Sequence, residues 1–493
     1  MTVARDLVKH SSVYGLGLAL SRVASVVLLP FYTRFLTPAD YGIIALIDLT
    51  MALVTNMAAG GVHSAVMRYH FEPQYRERQH DLWTTGLAMM IAASLPQLLL
   101  VWFLRADIAA LAFGGEVAEG PAYLTLAVLS LPARLFSNYA QSYLRAEKRS
   151  VLFVGITVPG LVLRITLNIW LIGFRGLGVA GFLWGSLIGG WIEALVYWAI
   201  LFARRPVRLV REVVRPMWSY GWPLLVTTLA GLAMHQMNRF MMRWLLDDLH
   251  PIGIFAVAYT LAQGVNQVIV TPFQSIWSAV MYEIDLLGDR VRMYQRVFKY
   301  YTVAIALVLF GVAVASRPIV SILAAPEFAE AANVLPWLCL AYFFFTLHGL
   351  LRAPAMIHRR TISVARVSVI AAVVNFVANL ALIPLSGMYG AAWAAVITYA
   401  VFTLLGHLEY RRIEDLRFPL RYVVASAMLG VALTAAMQAA VPQGKGLAVE
   451  IASAAGAWVA VAAGVLLGPA RGLLERDSPV RRALLAVRGR GAR

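Results

Sequence analysis

Arginine is the side chain best suited to holding a phosphate, because its planar guanidinium can donate two parallel hydrogen bonds to it. In this sequence Arg22, Arg134 and Arg164 fall near the middle of long apolar runs, and Arg239 and Arg352 fall nearer the ends of theirs. A charged residue at the centre of a membrane helix costs about 2.5–3.5 kcal/mol on insertion scales, so it faces a cavity or a partner. Acids within the runs are fewer: Asp48 and Glu193, with Glu283 at an edge. The balance is therefore positive in the N-terminal half, and a dry cavity lined by guanidinium groups suits an anionic phosphate or diphosphate. Two other readings stay open. Arg22 or Arg164 can be paired with Asp48 or Glu193, and Arg239 and Arg352 can snorkel to the membrane interface. Asp48 and Glu193 are also the acids available to couple transport to an ion.

Amides add neutral polarity to the same runs: Asn138, Gln141, Asn168, Gln236, Asn238, Gln263, Asn266, Gln267, Asn375 and Asn379. Gln263, Asn266, Gln267 and Gln274 share a face at α-helical spacing. That face could meet sugar hydroxyls, or could equally serve hydrogen bonds between helices. Most of the abundant tryptophans suit interface belts and packing. His235 is the one histidine deep enough in a run to be of interest, and a core role suits it. No Walker A, HExxH or GxSxG pattern occurs, so no catalytic constellation, metal site or cofactor is expected. The single cysteine, Cys339, excludes an internal disulfide.

These residues must be positioned by membrane helices. The chain has 493 residues, 60% of them hydrophobic and 14% charged, with a mean hydropathy of +0.73. A soluble domain carries about 25% charged residues. Apolar runs at or near the ~20 residues that span a hydrocarbon core must be helical, because backbone groups in lipid are satisfied only within the segment. Spans are expected at 13–34, 41–62, 82–104, 122–144, 151–173, 178–202, 217–240, 252–282, 297–316, 334–357, 366–386, 389–408, 421–441 and 447–468. The fold class is thus an all-α integral membrane protein of about fourteen spans. The 252–282 run contains Pro272 and could be one bent helix or a helix plus a shelf. The net charge of +17 could suggest a nucleic-acid binder, but the basic residues sit in short loops between apolar runs. They concentrate in alternate loops, which predicts both termini on the cytoplasmic side. The polar opening MTVARDLVKH runs into the first span without a small-residue cleavage site, so that span is expected to be retained. Arg205–Arg215 has arginines every three residues or so and valines on another face; it reads as an amphipathic interfacial helix or as a plain basic loop.

The chain repeats internally. Tyr14-Gly15 and Tyr220-Gly221 each open a span, followed by Arg34-Phe35 and Arg239-Phe240, then by PADYGI (Pro38–Ile43) and PIGIF (Pro251–Phe255). Arg164 and Asn168 precede Gly178-x-x-Gly181-x-x-Trp184, as Asn375 and Asn379 precede Gly387-x-x-Gly390-x-x-Trp393. The expected organisation is a six-helix lobe over 1–204 and a basic amphipathic cytoplasmic linker over 205–216. A second six-helix lobe over 217–410, two additional helices over 411–470 and a basic cytoplasmic tail over 471–493 complete it. Repeats around a central site are a common architecture of transporters.

At this point the chain resembles a family. SSVYGLGLALSRVASVVLLPFYTRFLTPADYGI with AVMRYHFE, SYGWPLLV with NRF, APEFAEAANVLPWL, and NLALIPLSGMYGAAWAAVITY are similar to the Wzx-type oligosaccharide flippases. Several of these motifs are shared across the multidrug/oligosaccharidyl-lipid/polysaccharide exporter superfamily, which also holds lipid II flippases and MATE drug exporters. The resemblance covers about 11–410. Asn238-Arg239 stands where family members often carry Asp-Arg, which weakens the idea of a coupling acid there.

The resemblance implies two six-helix lobes facing a cavity, plus two C-terminal helices. It implies flipping of undecaprenyl-diphosphate-linked oligosaccharide repeat units across the bacterial inner membrane, for O-antigen, capsule or exopolysaccharide assembly. The partners would be the lipid-linked oligosaccharide, the bilayer, and a polysaccharide polymerase with its chain-length regulator. The expected substrate-binding residues are Arg22, Arg134, Arg164, Arg239, Arg352, Asn138, Asn168, Gln263 and Gln267, with Glu193 and Asp48 as coupling candidates. A MATE-type drug exporter or lipid II-type flippase shares the expected fold, although intramembrane arginines disfavour a cationic drug. A membrane-embedded glycan polymerase or ligase is disfavoured by short outward loops. The chain is therefore expected not to be an enzyme.

Overall fold

A computed structural model describes residues 26–59, 61–114, 117–202, 208–285, 289–358, 360–440 and 447–467. Arg22 lies outside them. Among the described residues every regular element is helical. In chain order these are α1 (Leu29–Phe35), α2 (Pro38–Ala59), α3 (Val62–His70), α4 (Gln79–Phe103), α5 (Arg105–Phe113), α6 (Gly120–Ala146), α7 (Ser150–Asn168) and α8 (Gly178–Leu201). Then come α9 (Arg211–Leu246), α10 (His250–Val265), α11 (Thr271–Asp285), α12 (Arg290–Val314) and α13 (Ser316–Leu323). The remainder are α14 (Ala331–Leu351), α15 (Ala353–Ile357), α16 (Thr361–Arg411), α17 (Arg421–Ala440) and α18 (Leu447–Leu467). Among the described residues, 8 helical segments are long and apolar enough to cross a membrane. Helices α6 and α9 are not among them; both carry arginines along their length.

The span expected at 13–34 lies mostly outside the described residues; the other expected spans overlap described helices, and three places show what length alone misses. Of the two forms open for the 252–282 run, one continuous helix is present and the shelf is not. The run passes from α10 to α11 through a π turn, Asn266–Val270. Each π residue turns the chain less than an α residue, so five of them retard the following helix by about a quarter-turn. Gln274, in the helix that follows the π turn, packs against Gly349. A second π turn, Ile169–Phe174, follows α7. The spans expected at 366–386 and 389–408 are the two arms of α16, which kinks at Gly387 (φ 57°, ψ −130°). Gly178, its counterpart in the repeat, also has a positive φ of 51°. Side chains rarely adopt either conformation.

The basic stretch before the second repeat is not a separate interfacial helix among the described residues. Residues 208–210 have no regular secondary structure and α9 begins at Arg211. Its first turns are pulled inward by burial: Val210, Val213 and Met217 join an apolar cluster with Val62, Trp83, Tyr139 and Phe153. The lead-in is satisfied by side chains, since Val210 N–H donates to Thr85 Oγ1 at 2.8 Å and Thr84 Oγ1 donates to the Arg208 carbonyl at 2.9 Å.

Two compact units follow, Met1–Ala256 and Val257–Arg493. The boundary lies within α10. In the first unit α9 runs alongside α2, α3 and α4, and α6 packs on α8. Helices α2 and α10 meet backbone to backbone, with Gly42 against the Leu249 carbonyl and Gly253 against the Pro38 carbonyl. A Cβ at either glycine would overlap that oxygen. In the second unit α14 packs on α16, and α12 packs on α14, α17 and α18. The ends of its helices are tied by ion pairs. Glu414 receives Arg290 at 2.9 Å and His358 at 3.0 Å, and Arg290 also reaches Asp285 at 2.7 Å.

Candidate functional site

Helix α6 is two-faced. Leu131, Leu135, Tyr139, Ala140, Tyr143 and Leu144 are buried, and the Tyr139 hydroxyl donates to the Trp83 carbonyl at 2.6 Å. Ser130, Arg134, Asn138, Gln141 and Arg145, at spacings of three and four, lie on the more accessible side. Such spacing places successive side chains one above another on a single face.

Opposite Arg134 stands Asp48 of α2. Their charged atoms are 3.9 Å apart, and the side chains are 48% and 56% exposed. Both side chains are thus about half accessible. Arg239 of α9 adds a second positive charge within electrostatic range of Asp48.

A second pair lies one helix away. Arg164 Nη2 of α7 is 3.4 Å from Glu193 Oε2 of α8. Here the two ends differ: the Arg164 side chain is 37% exposed, and that of Glu193 is 2% exposed. Gln141 Nε2 of α6 donates to the other carboxylate oxygen at 3.4 Å. The pair fits because two glycines make room. Gly189 lies against the aliphatic stem of Arg164, and Gly160 lies against the Glu193 carboxyl group. One turn on, Tyr197 and Thr157 share a hydrogen bond of 2.9 Å. Asn168 is buried and donates to the Tyr32 hydroxyl at 2.8 Å, with Gly185 packed beside its amide.

The first unit therefore brings together Asp48, Arg134, Asn138, Gln141, Arg164 and Glu193, with Asn168 and Arg239 near them. Of the pairings open in the sequence, Arg164 with Glu193 is present as a contact; Arg134 with Asp48 is a pairing the sequence did not suggest. The second unit holds the others. Arg352 sits partly exposed at the α14–α15 junction, beside His348 and Tyr410. Gln263, in the last turn of α10, and Gln267, in the π turn, are partly exposed.

Sequence reasoning missed Arg145, counted among the loop arginines. It belongs to the last turn of α6 and donates to Ser142 Oγ at 2.7 Å. The same three-and-four spacing that links Arg134, Asn138 and Gln141 extends to it and could have found it. Tyr32, Gly160 and Gly189 carried no such signal, because their roles depend on a neighbouring helix. On the other side of α6 and α8 is an apolar groove of ≈ 430 Å³, walled by Leu95, Leu98, Phe136, Trp191, Leu195 and Trp198 among others.

Comparison with known proteins gives this geometry a family. The EPS I polysaccharide export inner membrane protein EpsE of Ralstonia nicotianae is 26% identical over 271 residues, 52% of this chain and 59% of that protein. Its counterpart in Ralstonia solanacearum is 27% identical over 269 residues, with the same coverage. The match thus spans about three-fifths of the length of these curated relatives. Among solved structures, the lipid II flippase MurJ in an inward-closed conformation superposes with a TM-score of 0.71 at 12% identity, covering 92% of this chain and 98% of that one. An inward-facing multidrug-resistance MATE-family transporter of the MOP superfamily gives 0.60 at 17% identity, covering 81% and 99%. These likenesses show a shared membrane-transporter fold. A family model described as "Polysaccharide biosynthesis protein" matches residues 31–333, which is more than half of the sequence, and the chain belongs to that family.

Proposed function

We propose that this protein is a flippase that moves undecaprenyl-diphosphate-linked oligosaccharide repeat units across the bacterial inner membrane for surface polysaccharide assembly. The observation that carries the reading is the accessible face of α6. There Arg134, Asn138, Gln141 and Arg145 line a wall opposite Asp48 and beside Arg164. Guanidinium groups in a cavity shielded from bulk water bind a diphosphate far more strongly than on an open surface. The neighbouring amides are suited to sugar hydroxyls. The relatives' names and the fold shared with a lipid II flippase support a lipid-linked polysaccharide cargo and an inner-membrane location.

In this reading the diphosphate enters the cationic cavity from the cytoplasm, the prenyl chain stays in lipid, and the lobes reopen outward by alternating access. Arg22, Arg134, Arg164, Arg239 and Arg352 are the proposed phosphate-facing cations. Asn138, Asn168, Gln263 and Gln267 are the proposed sugar-facing amides, and Asp48 and Glu193 the proposed coupling acids. A polysaccharide polymerase and its chain-length regulator would receive the product. Arg134→Ala with Arg164→Ala should lower surface glycan at least tenfold in a strain lacking its own flippase, with membrane insertion unchanged by immunoblot. Full glycan display from the double variant would sink the cationic cavity.

One observation favours a second reading. Asp48 presents an accessible carboxylate, which in an ion-coupled drug exporter would attract a cation. Growth on toxic organic cations separates the two: resistance conferred by the wild-type chain and lost in Asp48→Asn, with no glycan phenotype, would favour the exporter.

A further inference from the structure

The two ends of the Arg164–Glu193 pair are not equally free. Glu193 is sealed in protein, and both of its polar contacts are long, 3.4 Å to Arg164 and 3.4 Å to Gln141. The Arg164 side chain is 37% exposed, and in the reading above that exposed end faces the cavity. An anion arriving in the cavity meets the guanidinium and not the carboxylate. Arginine has five N–H donors but one charge. If the anion draws the guanidinium away, Glu193 keeps, among the described residues, the neutral Gln141 amide. A buried carboxylate without a cation is far more costly than a buried neutral acid.

The other charged and titratable groups around Glu193 do not replace Arg164. Tyr197, one turn along α8, is neutral and bonded to Thr157. On α6, Arg145 points to Ser142 and Arg134 faces Asp48. Asp48 of α2, which also packs on α8, is itself an acid. Glycines at 160 and 189 leave no side chain to fill the space if the pair opens.

We infer that Arg164 and Glu193 form an exchange site in which binding of a phosphate-type anion to Arg164 is linked to uptake of one proton by Glu193. The inference rests on the anion-binding reading above. The balance is simple: the ion pair opens, the anion's oxygens take the guanidinium, and one proton passes from water to a Glu193 carboxylate oxygen. No other bond forms or breaks. The bound complex then carries one negative charge fewer than the anion alone would bring. By linkage, anion affinity rises as pH falls, about tenfold per pH unit where the uptake is complete.

The test uses the full chain in lipid nanodiscs, with farnesyl diphosphate as the probe. Isothermal titration calorimetry in two buffers of different ionisation heat, between about pH 6.5 and 8.5, counts protons per bound ligand. A phosphate ester itself titrates near pKa ~6, so Glu193→Gln is the reference. The wild-type protein should take up about one proton more per ligand than Glu193→Gln. Glu193→Gln should bind the probe at least tenfold more tightly at pH 8, because its Arg164 is already released. Arg164→Ala should lose affinity at least tenfold. Equal proton uptake by wild type and Glu193→Gln overturns the exchange while leaving anion binding intact. Absence of binding to the wild-type protein in the same discs overturns the anion-binding reading, and the exchange with it. A single symmetric peak on size-exclusion chromatography, required of each variant, separates misfolding from loss of the site.

Discussion

The step between α7 and α8 in the first repeat and the step between the two arms of α16 in the second are built on one plan and filled differently. Gly178-x-x-Gly181-x-x-Trp184 matches Gly387-x-x-Gly390-x-x-Trp393, and counting on in the same register sets Gly189 opposite Thr398 and Glu193 opposite Phe402. Leu144-Arg145-Ala146 recurs as Leu351-Arg352-Ala353, which sets Gln141 opposite His348. The contacts follow this correspondence. Arg164 lies on Gly189 in the first repeat; Asn375 Nδ2 donates to Thr398 Oγ1 at 3.1 Å in the second. Gln141 reaches Glu193 in the first; His348 stacks on Phe402 at 3.7 Å between ring centroids and shares a 2.9 Å hydrogen bond with Tyr410 in the second. One backbone joint thus holds an ion pair with one end exposed in one repeat, and sealed neutral packing in the other. Asn375 and Asn379 are 1% and 0% exposed, against 37% for the Arg164 side chain. Two matching joints thus carry different side chains, a charged pair in one and neutral packing in the other.

The largest test of this contrast is Arg164→Ala. Removing one partner of a buried ion pair costs about 3–5 kcal/mol, and the partial exposure of Arg164 places the loss near the lower figure. Glycan display should collapse. Adding Glu193→Gln should restore most of the stability but not the display; thermal unfolding of the purified variants and surface glycan staining read the two effects separately. Recovery of display in the double variant would mean that Arg164 serves only to neutralise Glu193. Next comes the backbone contact of α2 with α10. Gly42→Val or Gly253→Val drives a side chain into a carbonyl oxygen and should cost about 1–3 kcal/mol or more, with a lowered unfolding temperature as the readout. An unchanged unfolding temperature would show that the two helices need not approach closely.

Smaller effects belong to the neutral joint. His348→Gln should cost about 1–2 kcal/mol through lost stacking and a weakened hydrogen bond, while glycan display per folded molecule stays constant. A fall in display as deep as that of Arg164→Ala would erase the contrast between the repeats. The smallest effect lies outside the spans. Burial lowers the pKa of His70 below its ordinary 6.5, with Glu147 opposing, and its Nδ1 accepts the Trp83 Nε1–H at 3.1 Å. A histidine that binds its proton less readily when folded stabilises fully above the unfolded value, and that contribution is lost as pH falls below about 6.5. The unfolding temperature should decline on acidification, less steeply in His70→Gln; parallel profiles would exclude His70 as a cause.

Much of this was legible in the sequence. The helices, the repeat and the arginines and acids within the spans follow from apolar length and from matched motifs. Hydrophobic thickness sets how long a run must be, and each run reports this locally. Gly387 marked a joint because few residues other than glycine take its backbone angles. Legibility ended where a residue's role depends on another helix. The basic run before α9 has the periodicity of an interfacial helix, but Val213 and Met217 find a buried cluster and Arg211 simply starts the next long helix. The stretch from Gln263 to Gln274 contains a π turn that α-helical spacing cannot reveal.

The sequence by itself therefore determined what the helices are, which ionisable groups they carry into the membrane and that the frame is duplicated. Only the tertiary structure decided that Arg134 faces Asp48, that Arg164 covers Glu193, and that one end of the second pair is open while the other is sealed. The physical reason is that a pairing depends on how each helix is rotated about its axis and how closely its neighbours approach. Both are fixed by small residues such as Gly160, Gly189, Gly42 and Gly253, whose partners lie on other helices.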